Sequence, residues 1–106
     1  MAQIIWTEPA LSDLDDIAEY IALDKVEAAR RLVKQVFKNV GELEHFPELG
    51  RKPPELENST YREIIVNPCR IFYRLDQNDN VYILYVMRGE RQLRKYLLDE
   101  RAQDTS

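Results

Sequence analysis

The residues best suited to chemistry in this chain are arginines. Arg62, Arg70, Arg74, Arg88 and Arg91 all fall within or at the end of the stretch Tyr61–Arg91, YREIIVNPCRIFYRLDQNDNVYILYVMRGER. A guanidinium is always protonated and presents a planar fork of donors that matches carboxylate and phosphate oxygens. Such a group recognises anions or stabilises developing negative charge, and it makes a poor general base. In an extended strand Arg70, Phe72 and Arg74 share one face, while Ile71, Tyr73 and Leu75 share the other. Two readings of the arginines stand side by side. They form a concave anion-recognising surface, or they are solvated edges and ion pairs to the chain's many carboxylates.

Other chemistry has little support. His45 is the single histidine and sits near the end of a helix, where a cation suits the helix dipole. Cys69 is the single cysteine, so it forms no intramolecular disulfide, and its neighbour Arg70 points to the opposite strand face. It reads as a buried bystander. Asp15 and Asp16 are helix neighbours and do not face each other, as a catalytic carboxylate pair would. Three glycines give no phosphate-binding loop, and no Cys/His metal spacing exists. No metal and no cofactor are expected.

The elements that must carry the arginines follow from periodicity. Arg62–Val66, Arg70–Leu75 and Val81–Met87 read as three strands separated by turn formers at Asn67-Pro68 and Asp76–Asn80. The gaps suit antiparallel hairpins. The third strand is apolar at nearly every position, as a strand covered on both faces would be. The expected sheet has one covered face, with arginines reaching from its other face and its end. Upstream, Gln3–Trp6 is a short first strand. Thr7 is placed as an N-cap, and Leu11, Leu14, Ile17, Ala18 and Ile21 recur at helical spacing to about Leu23. Asp13, Asp15, Asp16 and Glu19 lie off that stripe. Asp24 with Glu27 resembles a capping box for a second helix with a stripe from Ala29 to Leu43, kinked or frayed at Gly41. Its remainder, Lys25, Arg30, Arg31, Lys34 and Lys38, is basic. Pro47–Tyr61 is a long irregular connection, and Glu90–Arg101 a short C-terminal helix followed by a frayed tail.

The whole is an α+β arrangement. An N-terminal strand precedes an antiparallel helical hairpin packed on a mainly antiparallel sheet, in the order β-α-α-β-β-β, with a short C-terminal helix. Residues 1–101 are read as one domain and 102–106 as a polar tail. The chain has 106 residues, enough for one core, with 44% hydrophobic and 32% charged residues and a net charge of -4. That charge argues against binding nucleic acid through bulk charge, although a local basic groove stays open. No apolar run approaches the ~20 residues of a membrane span, and nothing resembles a signal peptide. A cytoplasmic location and no membrane partner are expected.

In this order, several pieces resemble the RelE/ParE superfamily of bacterial type II toxins. They are Ala10–Ile21 (ALSDLDDIAEYI), Phe46–Arg51 (FPELGR), Pro54-Glu55-Leu56, Arg70–Arg74 (RIFYR) and Arg88-Gly89-Glu90-Arg91. The likeness runs from Ile4 to about Arg91. It implies one of two activities, both neutralised by an antitoxin whose C-terminal segment wraps the toxin. The ParE branch inhibits DNA gyrase by protein contact. The RelE branch cuts mRNA in the ribosomal A site without a metal.

The GR…PEL loop and IFYR look more like the ParE branch. In the RelE-like pattern two basic residues alternate on the strand entering the sheet. Arg62 matches the first, while Ile64 stands in place of the second. Arg70, Arg91 and, with a small offset, Tyr96 match the remaining catalytic positions. The histidine frequent before the final glycine is Arg88 here. The resemblance therefore favours a gyrase-inhibiting toxin with no catalytic residues. The alternative is an mRNA endonuclease acting on the ribosome through Arg62, Arg70, Arg91 and Tyr96. For the gyrase reading the target-binding residues are Arg88 and Arg91, which flank Gly89 at a strand end, and Arg51, which follows Gly50 in the proline-rich loop.

Overall fold

The computed structural model describes residues 2–105. Its elements are β1 (Ile4–Trp6), α1 (Glu8–Ala22), α2 (Val26–Gly41), β2 (Arg62–Val66), β3 (Cys69–Leu75), β4 (Val81–Arg88) and α3 (Lys95–Gln103), with single 3-10 turns at Glu42–Glu44 and Pro54–Leu56. The sheet runs β1-β4-β3-β2. β1 lies parallel to β4, and the other pairings are antiparallel. This is the expected α+β order, with the N-terminal strand making the sheet mixed.

Local chemistry explains the helix ends. Thr7 caps α1, its hydroxyl accepting from the Ala10 N–H at 3.3 Å and donating to the Ile83 carbonyl at 2.7 Å. The expected Asp24 cap for α2 is not used. Leu23, Asp24 and Lys25 all return their N–H groups to carbonyls of α1, and α2 begins after Lys25, which makes no side-chain cap. α2 does not kink at Gly41 but ends there and tightens into the 3-10 turn.

The hairpin covers one face of the sheet. Leu14, Leu32, Val36, Val40 and Leu43 pack on Ile71, Tyr73, Val81, Ile83 and Val86, all nearly or wholly buried. The second face is covered as well, contrary to the one-sided sheet expected. Phe72, Leu84 and Met87 pack there with Tyr61, Leu93 and Leu98. A bulge makes this two-sidedness possible: Tyr73 pairs with Ile83 and Phe72 with Tyr85, leaving Leu84 without a partner on β3. The alternation of β4 therefore slips by one, and Leu84 and Tyr85 both serve the second face.

α3 starts five residues later than Glu90. The Gly89 N–H donates to the Pro68 carbonyl at 2.8 Å and the Arg91 N–H to the Arg88 carbonyl at 3.0 Å, which hold this stretch as a turn. The helix then runs past Ala102, where the tail was expected to begin, to Gln103, and Thr105 beyond it accepts from Arg74. Among the described residues no helix is long and apolar enough to cross a membrane.

Candidate functional site

The proline-rich connection is not loose. The Tyr73 hydroxyl, wholly buried, accepts from the Gly50 N–H at 2.9 Å and donates to the Pro47 carbonyl at 2.8 Å. Burial raises its pKa. Arg51 then pairs with Glu63 of edge strand β2 through two backbone hydrogen bonds at 2.8 and 3.0 Å. These contacts draw the loop against the sheet and create a cleft of about 390 Å³ lined by Arg51, Pro54, Glu55, Ile65, Arg70 and Gly89, among others.

Charge in this cleft is organised around Glu63, whose side chain is fully buried. A buried carboxylate needs partners, and Glu63 has two. Arg70 donates to it through Nε at 2.6 Å and Nη2 at 3.0 Å, and Arg51 through Nε at 3.1 Å. The remaining edge of Arg70 is taken by Glu55, with Nη1 and Nη2 each 2.8 Å from one carboxylate oxygen. That bidentate hydrogen bond holds the Glu55 carboxyl down at about 2. Arg70 itself is raised, by its bonds to Glu55 and Glu63.

The other arginines of the sheet have separate fates. Arg74 donates to the Thr105 hydroxyl and lies 4.6 Å from the Tyr82 ring centroid. Arg88 turns toward the hairpin, 5.2 Å from the Tyr20 ring centroid. Its Nε is 2.8 Å from Glu90 Oε1, an ion pair too poorly aligned for a hydrogen bond. Arg91 is exposed and makes no ion pair or side-chain hydrogen bond among the described residues. Cys69 is wholly buried, and burial pushes its thiol up to about 11, so it is a neutral packing residue.

The profile of the ParE toxin of type II toxin-antitoxin systems (parDE) matches residues 4–93, most of the chain and all of the cleft. The chain belongs to the ParE toxin family. Toxin RelE2 of Caulobacter vibrioides is 32% identical over 91 residues, covering 86% of this chain and 99% of that protein. The chromosomal ParDE TA system from P. aeruginosa superposes with a TM-score of 0.69 at 27% identity, covering 85% of this chain and 98% of that one. The RelBE2 toxin–antitoxin complex from Mycobacterium tuberculosis superposes with a TM-score of 0.55 at 23% identity, over 82% of this chain and 96% of that one, and shares the fold.

Of the residues proposed for target binding, Arg51 lines the cleft, as does Gly89, which lies between Arg88 and Arg91 in sequence; Arg88 turns to the hairpin. Of the endonuclease set, Arg62 and Arg70 are kept apart. Arg62 and Arg70 come from opposite faces of the β2–β3 ladder, since Arg62 pairs with Tyr73 and Arg70 with Ile65. Arg62 donates to the Gly50 carbonyl at 2.8 Å, and Tyr96 lies on α3 with 59% exposure.

Two residues central to the cleft, Glu55 and Glu63, were not singled out from the sequence. Glu63 left a signal: a lone carboxylate in REIIV, an edge strand of otherwise apolar residues after Arg62, demands a cationic partner. Asp13, read only as lying off the apolar stripe of α1, has partners the sequence did not show. It accepts from the Val86 N–H at 3.1 Å and pairs with Arg101 at 2.5 and 3.2 Å, and Arg101 also donates to the Leu84 carbonyl at 2.9 Å. Those contacts satisfy backbone groups of β4 beyond the end of short β1.

Proposed function

We propose that this ParE-family toxin acts by protein contact on DNA gyrase in the cytoplasm, with no catalytic residues, and that a cognate antitoxin neutralises it. The observation that carries the reading is the division of labour among the arginines. Arg70 is neutralised by two carboxylates and separated by the sheet from Arg62. Neither is placed to stabilise a phosphate in a shared transition state. Arg91 is free, and the Nη groups of Arg51 and Arg88 carry no hydrogen bond among the described residues. Arginines with free donors suit an interface hot spot, where one truncation costs about 2 kcal/mol or more.

Antitoxins accompany the toxins in both structurally similar complexes. On this chain a groove of about 450 Å³ between α1 and α2, floored by Ala18, Ala22, Val26, Ala29 and Val33, is the apolar surface we assign to an antitoxin helix. Leu23 at the hairpin tip, 85% exposed, extends it. The apolar side chains of β4 are buried or half-buried on both faces and offer no such surface.

The test is a purified supercoiling assay. Wild-type toxin should inhibit gyrase at micromolar concentration, and Arg88→Glu with Arg91→Glu should abolish inhibition with thermal stability little changed. Wild type that leaves supercoiling untouched overturns the gyrase assignment. Programmed ribosomes should yield no cut transcript. A cut transcript that disappears with Arg91→Ala would establish the endonuclease instead.

A further inference from the structure

Four charged groups of the cleft, Arg51, Arg70, Glu55 and Glu63, cancel in net charge, yet they are not equivalent in how they are held. Glu63 is fixed in β2, with its side chain fully buried. Glu55 stands on the 3-10 turn Pro54–Leu56, its side chain 44% exposed. Its two oxygens sit one on each Nη of Arg70, both at 2.8 Å. That is the geometry with which a guanidinium takes any bidentate oxyanion, carboxylate or phosphate.

The segment bearing Glu55 is anchored on either side of it, by buried Pro53 and by Leu56 packed against the second-face cluster, while the Glu55 side chain itself is held only by Arg70. The segment's backbone makes turn bonds of its own, Leu56 N–H to Pro53 and Ser59 N–H to Leu56, both at 2.9 Å. Lys52 Nζ reaches the Ser59 carbonyl at 3.0 Å. The ladder contact of the loop is at Arg51, before this turn.

We propose that the outer edge of Arg70 is an oxyanion-binding site already occupied by the chain's own Glu55, and that Glu55 is the specificity-determining residue that keeps phosphate out of the cleft. A phosphate approaching the intact cleft meets the Glu55 carboxylate and no unpaired Arg70 Nη, with the Glu63 carboxylate buried on the other edge of Arg70. With Glu55 removed, Arg51, Arg70 and Glu63 leave one net positive charge and one free guanidinium edge. The proposal rests on the reading of this cleft as a surface for protein rather than nucleic acid, but its test involves neither gyrase nor ribosome.

The probe is inorganic phosphate, titrated into ¹⁵N-labelled protein while the arginine side-chain N–H signals are followed by NMR. Glu55→Ala should bind phosphate at least about tenfold more tightly than wild type, the minimum gain from one charge-assisted hydrogen bond. The Arg70 signals should shift, and Glu55→Ala with Arg70→Lys should lose the effect. Glu55→Gln, which keeps the side-chain shape without the charge, should lie between. Equal phosphate affinity in wild type and Glu55→Ala overturns the proposal, as does a response that survives Arg70→Lys. Failure of both Glu55 variants to fold would also overturn it, by showing Glu55 to be a structural clamp rather than a replaceable occupant. A gyrase result of either sign leaves this outcome unchanged.

Discussion

The two faces of the sheet are held by different physics. On the hairpin face, contact is made by apolar area: Leu32, Val36, Val40 and Leu43 against Ile71, Ile83 and Val86. On the second face a smaller apolar cluster is ringed by polar latches. The Tyr61 hydroxyl donates to Asp99 at 2.6 Å, Arg101 pairs with Asp13 and lies 4.7 Å from the Tyr85 ring centroid, Arg74 grips Thr105, and Arg70 lies 5.0 Å from the Phe72 ring centroid. Apolar burial is non-directional, whereas latches hold one geometry and lose their effect when one partner is removed. Arg70, Arg74 and Arg101 therefore serve architecture, whereas Arg91 and the Nη groups of Arg51 and Arg88 carry no hydrogen bond among the described residues.

The sharpest way to break this contrast is Glu63→Ala. It leaves Arg70 and Arg51 without their buried counter-charge, a loss of about 3–5 kcal/mol for a buried pair. Urea denaturation should show the midpoint falling with the slope unchanged. A loss below about 1 kcal/mol, the level of a surface pair, would mean that water reaches the cleft and the latch is weak. Acid offers a second handle. The Glu55 carboxyl, depressed by its hydrogen bond to Arg70, should contribute its full stability above the ordinary value of 4.5 and lose it as pH falls toward about 2.

Next in size is the joint between the faces. A Cβ on Gly50 would stand 2.6 Å from Tyr73 Oη and 2.7 Å from the Glu63 carbonyl. Both neighbours are themselves hydrogen-bonded to this loop, so neither yields freely. Gly50→Ala should cost about 1–3 kcal/mol by overpacking. It should also raise hydrogen exchange at the Arg51 and Glu63 amides, which pair with each other's carbonyls. A variant as stable as wild type would show that the loop lifts away without cost, and that the cleft is not fixed by Tyr73.

How much of this was legible in sequence follows the same division. The hairpin face was readable because helical spacing and strand alternation report apolar burial directly, and Thr7 sits at the cap position it was assigned. The second face was not. Ile83, Leu84 and Tyr85 are all apolar, so a one-residue slip costs no burial and leaves no mark in the pattern. α3 carries little periodicity of its own, and the turn at Gly89 before it is tied to the Pro68 carbonyl, distant in sequence. The latches join residues far apart in the chain: Asp13 to Arg101, Tyr61 to Asp99, Glu55 to Arg70. Charge at a single position does not say which of many opposite charges it meets. Of the cleft, Arg51 and Arg70 were singled out from the sequence, and the carboxylates that neutralise Arg70 were not.

The smallest expected effect compares ion pairs that look alike on paper. Arg101–Asp13 and Arg30–Glu27 are both arginine–carboxylate contacts on helices. The first is bidentate, about four-fifths buried on both sides, and satisfies β4 backbone groups. The second is a single 3.4 Å contact three residues apart on α2, with side chains 74% and 76% exposed. Arg101→Ala should therefore cost about 1.5–3 kcal/mol, the range for hydrogen bonds to charged groups. Arg30→Ala should stay within about 0.5 kcal/mol, as exposed helix pairs do. Parallel denaturation curves of the two variants, repeated in 1 M salt, decide the matter, because screening weakens exposed pairs far more than half-buried ones. If Arg30→Ala costs as much as Arg101→Ala, burial does not separate the two kinds of pair in this fold. In that case the hairpin face is held by charge as well as area. Arg30 also flanks the apolar groove assigned to the antitoxin. A variant that leaves stability intact while weakening antitoxin binding would assign this arginine to recognition rather than to the fold.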